Sequence, residues 1–315
     1  MHIGPDRSAA PSVSALARGS APALAAALLV ASVAVSGCSS GSGGGSATEE
    51  ALRHLPKSAA SGQVSYVDQE RVRKLSAADD KRYRSVAVSP SRLLNTYGTP
   101  PWGDALKTGQ IASEIDAGVL GAWKGDFDAD AVVAKLKAAG YKAVKKDGKD
   151  VLAYEGTGDS HTGELTILVT DDELRYSGNA KTFTAADPDK GDSLAGSDQY
   201  RRAADCLGDV YRADFNGLST KDAVQLTVLG QADDGGKNTE VMCVVTKDQD
   251  TADDVAGRLR AAAAKKPKLY GGSKVTVGKG DLPYVRVTVP DSAEQHPGRL
   301  MVSNIDLWLA LPDED

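Results

Sequence analysis

Aspartates supply the densest potential chemistry in this chain. Asp126, Asp128 and Asp130 alternate as the acids of a calcium loop do. Such a loop needs glycine at its sixth position and a bidentate glutamate at its twelfth. Those positions are Ala131 and Lys137 here. Acids in a first helical turn are stabilised by the helix dipole, so this group, like Asp248, Asp250, Asp253 and Asp254, reads as helix-start chemistry. Asp171-Asp172 and Asp233-Asp234 read as turns. His54, His161 and His296 are scattered without ligand spacing, and there is no C-x-x-C. No metal site is expected. No Walker loop and no G-x-G-x-x-G leading into a helix is present, so no cofactor is expected. Tyr97-Gly98-Thr99-Pro100-Pro101-Trp102-Gly103 sets two aromatics around two prolines. Tyr97, Pro100, Pro101 and Trp102 form a candidate recognition loop, since aromatic anchors carry much interface energy; the alternative is a loop that folds its Trp onto the core. Trp123 and Trp308 lie in apolar, strand-like segments and are expected in the core.

Two motifs carry resemblances. Gly191-Asp192-Ser193-Leu194 resembles the nucleophile motif of the GDSL lipase/esterase family. In that family the serine follows a buried strand, and a D-x-x-H near the end supplies the base. Here the motif follows the polar Asp187-Pro188-Asp189-Lys190, and the nearest partners, Asp291 and His296, are five apart rather than three. A nucleophile needs its base and orienter in place, so Ser193 is read as linker and no catalytic set is assigned.

The second motif ends the apolar run. Arg7 and Arg18 precede a stretch free of charge from Gly19 to Gly37, whose apolar core is Ala23–Val35. As a helix that core is roughly 20 Å long, short of the ~30 Å hydrocarbon layer. Positive flank, short apolar run and small residues describe a secretory leader. Its last residues, Val35-Ser36-Gly37-Cys38, resemble the lipobox of bacterial lipoproteins at all four positions. The resemblance implies cleavage before Cys38 and diacylation of its sulfur. The membrane, reached through Cys38, is then a partner, and the chain sits on the outer face of the cell membrane. Ser39–Ser46 is a Gly/Ser coil with a root-mean-square span of roughly 15 Å. The body resembles the Ala-, Gly- and Asp-rich lipoproteins of high-GC Gram-positive bacteria.

Cys206 and Cys243 remain. An even pair in an exported chain reads as a disulfide. The net charge is −6, with 37 Lys plus Arg against 43 Asp plus Glu spread along the chain. That distribution lacks the basic face a nucleic-acid binder needs. Aromatic content of 5% also weakens a sugar-binding reading.

The elements that must position these residues alternate strand and helix. Val119–Trp123 reads as a strand, and Asp128 caps a helix with Val132, Val133 and Leu136 inward and Gly140 as its stop. Lys142–Lys146 and Val151–Glu155 flank Asp147-Gly148, and Leu165–Val169 and Leu174–Ser177 flank Asp171-Asp172, each a hairpin. In the second half Val224–Leu229 and Val241–Thr246 are strand-like. Thr251 with Asp254 opens a helix whose inward face holds Val255, Leu259, Ala262 and Ala263. Two hairpins are expected after it: Lys274–Val277 with Tyr284–Val289, and Arg299–Val302 with Ile305–Leu309 around Ser303-Asn304.

Both halves thus read strand, helix, hairpin, hairpin. The expected class is α+β, two similar halves, each a mostly antiparallel sheet with one main helix, as from an internal duplication. The divisions are a leader at 1–37, a lipidated Cys with tether at 38–62, and halves at 63–190 and 191–315, with the boundary in Ala185–Ser197. The functional expectation is a non-catalytic cell-surface lipoprotein that binds an envelope protein or a small ligand. The alternatives are the substrate-binding subunit of an importer, usually two doubly wound lobes, and more remotely a hydrolase.

Overall fold

The computed structural model describes residues 46–95, 100–146, 149–154, 165–178 and 191–311. The leader, Cys38, Tyr97, Asp147-Gly148, His161 and residues 185–190 of the Ala185–Ser197 boundary lie outside them. Gly45–Asp315 is one compact unit.

Among the described residues, twelve strands form one antiparallel sheet. They are β1 (Val64–Asp68), β2 (Ile111–Asp116), β3 (Leu120–Gly125), β4 (Lys142–Lys146), β5 (Lys149–Ala153), β6 (Thr166–Val169) and β7 (Glu173–Ser177) in the first half. The second half contributes β8 (Arg212–Phe215), β9 (Val224–Asp234), β10 (Lys237–Thr246), β11 (Lys274–Gly278) and β12 (Tyr284–Pro290). Their order is β11-β12-β10-β9-β8-β1-β2-β3-β7-β6-β5-β4. With its helices this is an α+β fold. The halves meet at the β1–β8 pair, where Ser65 faces Asp214 and Tyr66 faces Ala213.

Each half follows a similar path. A helix packs on the first face of the sheet, Ala47–Leu52 in one half and Asp198–Leu207 in the other. A three-strand meander follows. A helix then crosses the second face, Ala129–Ala138 or Gln249–Lys265, and the chain returns beside its third strand, as β7 beside β3 and β12 beside β10. The first half has four strands after its helix, the second two.

Helices on both faces explain why β10 is apolar without alternation. Val241, Cys243 and Val245 meet Tyr200, Ala203 and Leu207, while Met242 and Val244 meet Val255 and Leu259. A separate core lies under Ala129–Ala138. There Trp123 is buried between Trp102, 5.6 Å away edge to face, and Tyr176 at 5.5 Å. Asp128 and Asp248 cap the two second-face helices by accepting the N–H groups of Ala131 (2.9 Å) and Thr251 (2.9 Å). The cap of the longer helix is therefore Asp248, three residues before the expected Thr251.

Two expectations are corrected. Residues 46–62 belong to the folded body rather than to a tether, because Ala47–Leu52 is a helix capped by Ser46 and both Leu52 and Leu55 are fully buried. The expected hairpin at Arg299–Leu309 is instead two helical turns, Arg299–Val302 and Asp306–Leu309. The buried Glu240 carboxylate takes the N–H groups of Arg299 and Leu300, each at 3.1 Å. That satisfies donors a helix start leaves open. The inward residues Leu300, Leu307 and Leu311 join the second-face core, a spacing that suits helical turns rather than a ladder. Trp308 lies on the second turn, half-buried, its indole N–H on the Leu300 carbonyl at 3.1 Å.

Candidate functional site: a cleft under the strap between β1 and β2

The halves differ most after their first strand. Between β8 and β9 the chain needs only residues 216–223, whereas residues 69–110 intervene between β1 and β2. That insert starts with the helix Gln69–Ala78, whose Val72 packs with Val67 on the second face. It continues as a strap, Ser85–Asn95, laid over the middle of the same face.

Side chains of the sheet hold the strap down. Arg212 on β8 donates to the carbonyls of Val86 (3.2 Å) and Val88 (3.0 Å), and its other nitrogens grip Asp214 at 2.8 and 3.2 Å. Asp214 also accepts the Ser65 hydroxyl at 2.7 Å. Ser89 donates to Glu114 on β2 at 2.6 Å, and Gln69 donates to the other oxygen of the same carboxylate. Ser91 meets the Tyr176 hydroxyl at 2.8 Å, and Tyr176 is hydrogen-bonded to Asp116. Tyr176 reaches Asp116 across Gly121, where a Cβ would stand 2.3 Å from the phenol oxygen.

Glu114 and Asp116 are both buried. Burial raises the Glu114 carboxyl, and the bonds from Ser89 and Gln69 only partly offset it. Burial pushes the Asp116 carboxyl up to about 8; the Gly118 N–H opposes this, and the neighbouring Glu114 charge adds to it. A carboxyl raised in the fold keeps its proton there, so its contribution is whole below pH ~4 and lost as pH rises through about 8. Asp116→Asn mimics the protonated form. It is expected to match the wild type at pH 4, to exceed it increasingly up to pH 8, and to remove this part of the slope. Urea midpoints of both proteins at the two pH values measure it, and parallel pH dependences would contradict it.

Between the strap, the helix Gln69–Ala78 and the start of β2 lies a cleft of about 380 Å3. Gln69 and Arg73 reach it from the helix, Ser89 and Asn95 from the strap, and Thr108 from the approach to β2. Val88, Leu94 and Ile111 give it an apolar wall. Pockets of this size with a few convergent polar groups are the usual form of small-molecule sites.

Two other hollows are smaller. One of about 180 Å3 on the first face adjoins His54, whose Nδ1 lies 3.0 Å from Glu173. Burial raises the Glu173 carboxyl, but hydrogen bonds from His54 and Arg175 outweigh it and hold it at about 2. Another of about 290 Å3 runs beside the C-terminal turns, past Met301, Ile305 and Trp308. Val302, Ile305 and Leu309 are exposed on those turns.

The sequence candidates fall as follows. Cys206 and Cys243 form a disulfide with Cα atoms 6.1 Å apart. Trp102 is buried against Trp123, which spends its ring on the core rather than on a surface anchor; Pro100 and Pro101 are half-buried above it. Ser193 is fully buried in a bridge to Pro56, with Lys57 N–H on the Asp192 carbonyl at 2.8 Å. Asp291 is engaged by Arg299 at 2.8 Å and Asn238 at 2.6 Å. Asp171 and Asp172 turn β6 into β7, and Asp233 and Asp234 end β9. Among the described residues no group of three or more His, Cys, Asp or Glu could hold a metal ion, and no helix is long and apolar enough to cross a membrane. Glu114, Asp116 and Arg73 were not among the sequence candidates.

No family model and no curated protein matches this chain. Among solved structures it is similar to crystal form IV of TP0453, at 9% identity and a TM-score of 0.35, over 75% of this chain and 92% of that one.

Proposed function

We propose that this chain is an extracytoplasmic lipoprotein, anchored through Cys38 to the outer face of the cell membrane, that binds a small solute in the cleft under the strap. The cleft carries the reading. It is built by the insert that the second half lacks, and polar groups from three separate segments converge on it. Binding is favoured over hydrolysis because the GDSL serine, Ser193, is buried as a structural bridge. The importer alternative finds less support, since the body is one antiparallel sheet rather than two doubly wound lobes. The leader and the lipobox support the anchor. An envelope-protein partner has an observation of its own in the exposed stripe Val302, Ile305 and Leu309. Exposed apolar groups gathered in one place mark contact surfaces.

Two measurements test the proposal. Membrane fractionation should find the wild type with membranes and Cys38→Ser released from acyl labelling. A solute screen by thermal shift should find ligands that raise the melting temperature, and Leu94→Trp, which fills the cleft, should abolish the shift. A shift that survives Leu94→Trp places binding elsewhere, and Val302→Asp with Leu309→Asp then tests the apolar stripe.

A further inference from the structure

Resting on the cleft reading, we infer that the solute carries a carboxylate, which Arg73 receives, with an apolar body against Val88, Leu94 and Ile111. Arg73 Nη1 donates to the Ile111 carbonyl at 2.7 Å, which fixes the guanidinium in the cleft wall. Among the described residues no carboxylate lies within ion-pair distance of Arg73, and none accepts a hydrogen bond from it. A planar guanidinium held at one corner still offers donors in the fork that matches a carboxylate.

Glu70, the carboxylate that feels the Arg73 charge, stands one turn back on the same helix and is paired with Lys74 at 2.7 Å. Glu114 is engaged by Ser89 and Gln69. The cleft therefore presents one positive charge beside neutral polar groups, Asn95 and Thr108 among them. That balance suits a monoanion. The Val88 side chain, exposed at the rim, and the two apolar residues beside it suit hydrocarbon rather than a second charged group. A phosphate would bring a charge of up to two with no second cation among the residues that line the cleft.

The unit Gly45–Asp315 holds all four hydrophobic clusters and can be used for titration. Isovalerate, hexanoate and benzoate are each compared with their primary amides, and inorganic phosphate is a third arm. At least one carboxylate should bind tenfold or more tightly than its amide. Arg73→Gln should lose tenfold or more for the carboxylate and leave the amide unchanged, with Arg73→Lys in between. Arg73 is half-exposed, so the melting temperature of the variant should stay near that of the wild type. Equal affinity for acid and amide, or tighter binding of phosphate, overturns the carboxylate while sparing the cleft. An Arg73→Gln protein that binds the carboxylate as well as the wild type does the same. No binding of any probe overturns both readings.

Discussion

Arg212→Met is expected to lower stability by about 3–5 kcal/mol, the usual loss when one partner of a buried ion pair is removed. Arg212 and Asp214 are both largely buried, with side-chain exposures of 12% and 5%. Methionine leaves Asp214 under the strap with only the Ser65 hydroxyl. It also frees the Val86 and Val88 carbonyls, which Arg212 alone bridges to β8. Two controls separate charge from shape. Arg212→Met with Asp214→Leu removes both charges and should recover a large part of the loss. Acidification should shrink the deficit of the single variant, since the orphaned carboxylate can then take a proton. Urea unfolding at pH 5 and pH 8 measures all three proteins. A single-variant loss below about 1 kcal/mol, the range of an exposed pair, would mean that the pair is not buried in solution. Because the strap supplies Ser89 and Asn95 to the cleft, solute affinity should fall along with stability.

Much of the outer sheet was legible in the sequence, and the middle was not, for one physical reason. The outer hairpins and the two second-face helices follow simple periods. Val132 and Leu136, or Val255 and Leu259, face inward at helical spacing, and acids and glycines stand at the ends. The central strands β1, β2 and β8 are short and carry Ser65, Glu114, Asp116, Arg212 and Asp214 on their second face. Read for hydropathy, those residues look solvated, so Arg212–Phe215 does not register as a strand. The β2 segment has a further irregularity, a register shift between Ile111 and Ser113, which sends its two isoleucines to different cores. The helix Asp198–Leu207 fails for a related reason. Its buried face is Tyr200, Ala203, Ala204, Cys206 and Leu207, in which Leu207 is the one branched aliphatic residue, set among Asp198, Arg201, Arg202 and Asp205.

The site was hidden by the same effect. Residues 69–95 are rich in Arg, Lys, Asp and Ser, a composition with no clear apolar period. One clue was available: Glu114 and Asp116 alternate with Ile115, so their side chains had to share a face away from it. Carboxylates on a face that is also covered must be paired or protonated: Asp214 is paired with Arg212, and burial pushes Asp116 up to about 8. The Tyr97–Trp102 loop stands out for its aromatics, yet Trp102 lies in the core. Its use there follows from size, since a buried aromatic contributes more area than any other side chain.

The second large effect is expected from the disulfide. Cys206 sits on the first-face helix and Cys243 on β10, 37 residues apart. The bridge encloses β8 and β9, including the strand that holds the strap. Chain-entropy arithmetic for a loop of that length gives roughly 4 kcal/mol, lost when the cross-link is removed. Both cysteines are buried, so a mild reductant should leave the native protein oxidised and act only once it unfolds. Cys206→Ala with Cys243→Val keeps the packing of a small helix residue against a strand residue while removing the bond. It should fall by about the same amount as the reduced wild type, because the effect belongs to the unfolded chain. Urea curves for oxidised, reduced and double-variant protein provide the comparison. If the double variant loses much more than the reduced protein, the sulfurs matter through packing rather than through the link. If reduction proceeds freely without denaturant, the Asp198–Leu207 helix must open on its own, and the first-face core around Tyr200 and Leu207 would be a separable unit rather than part of one cooperative fold.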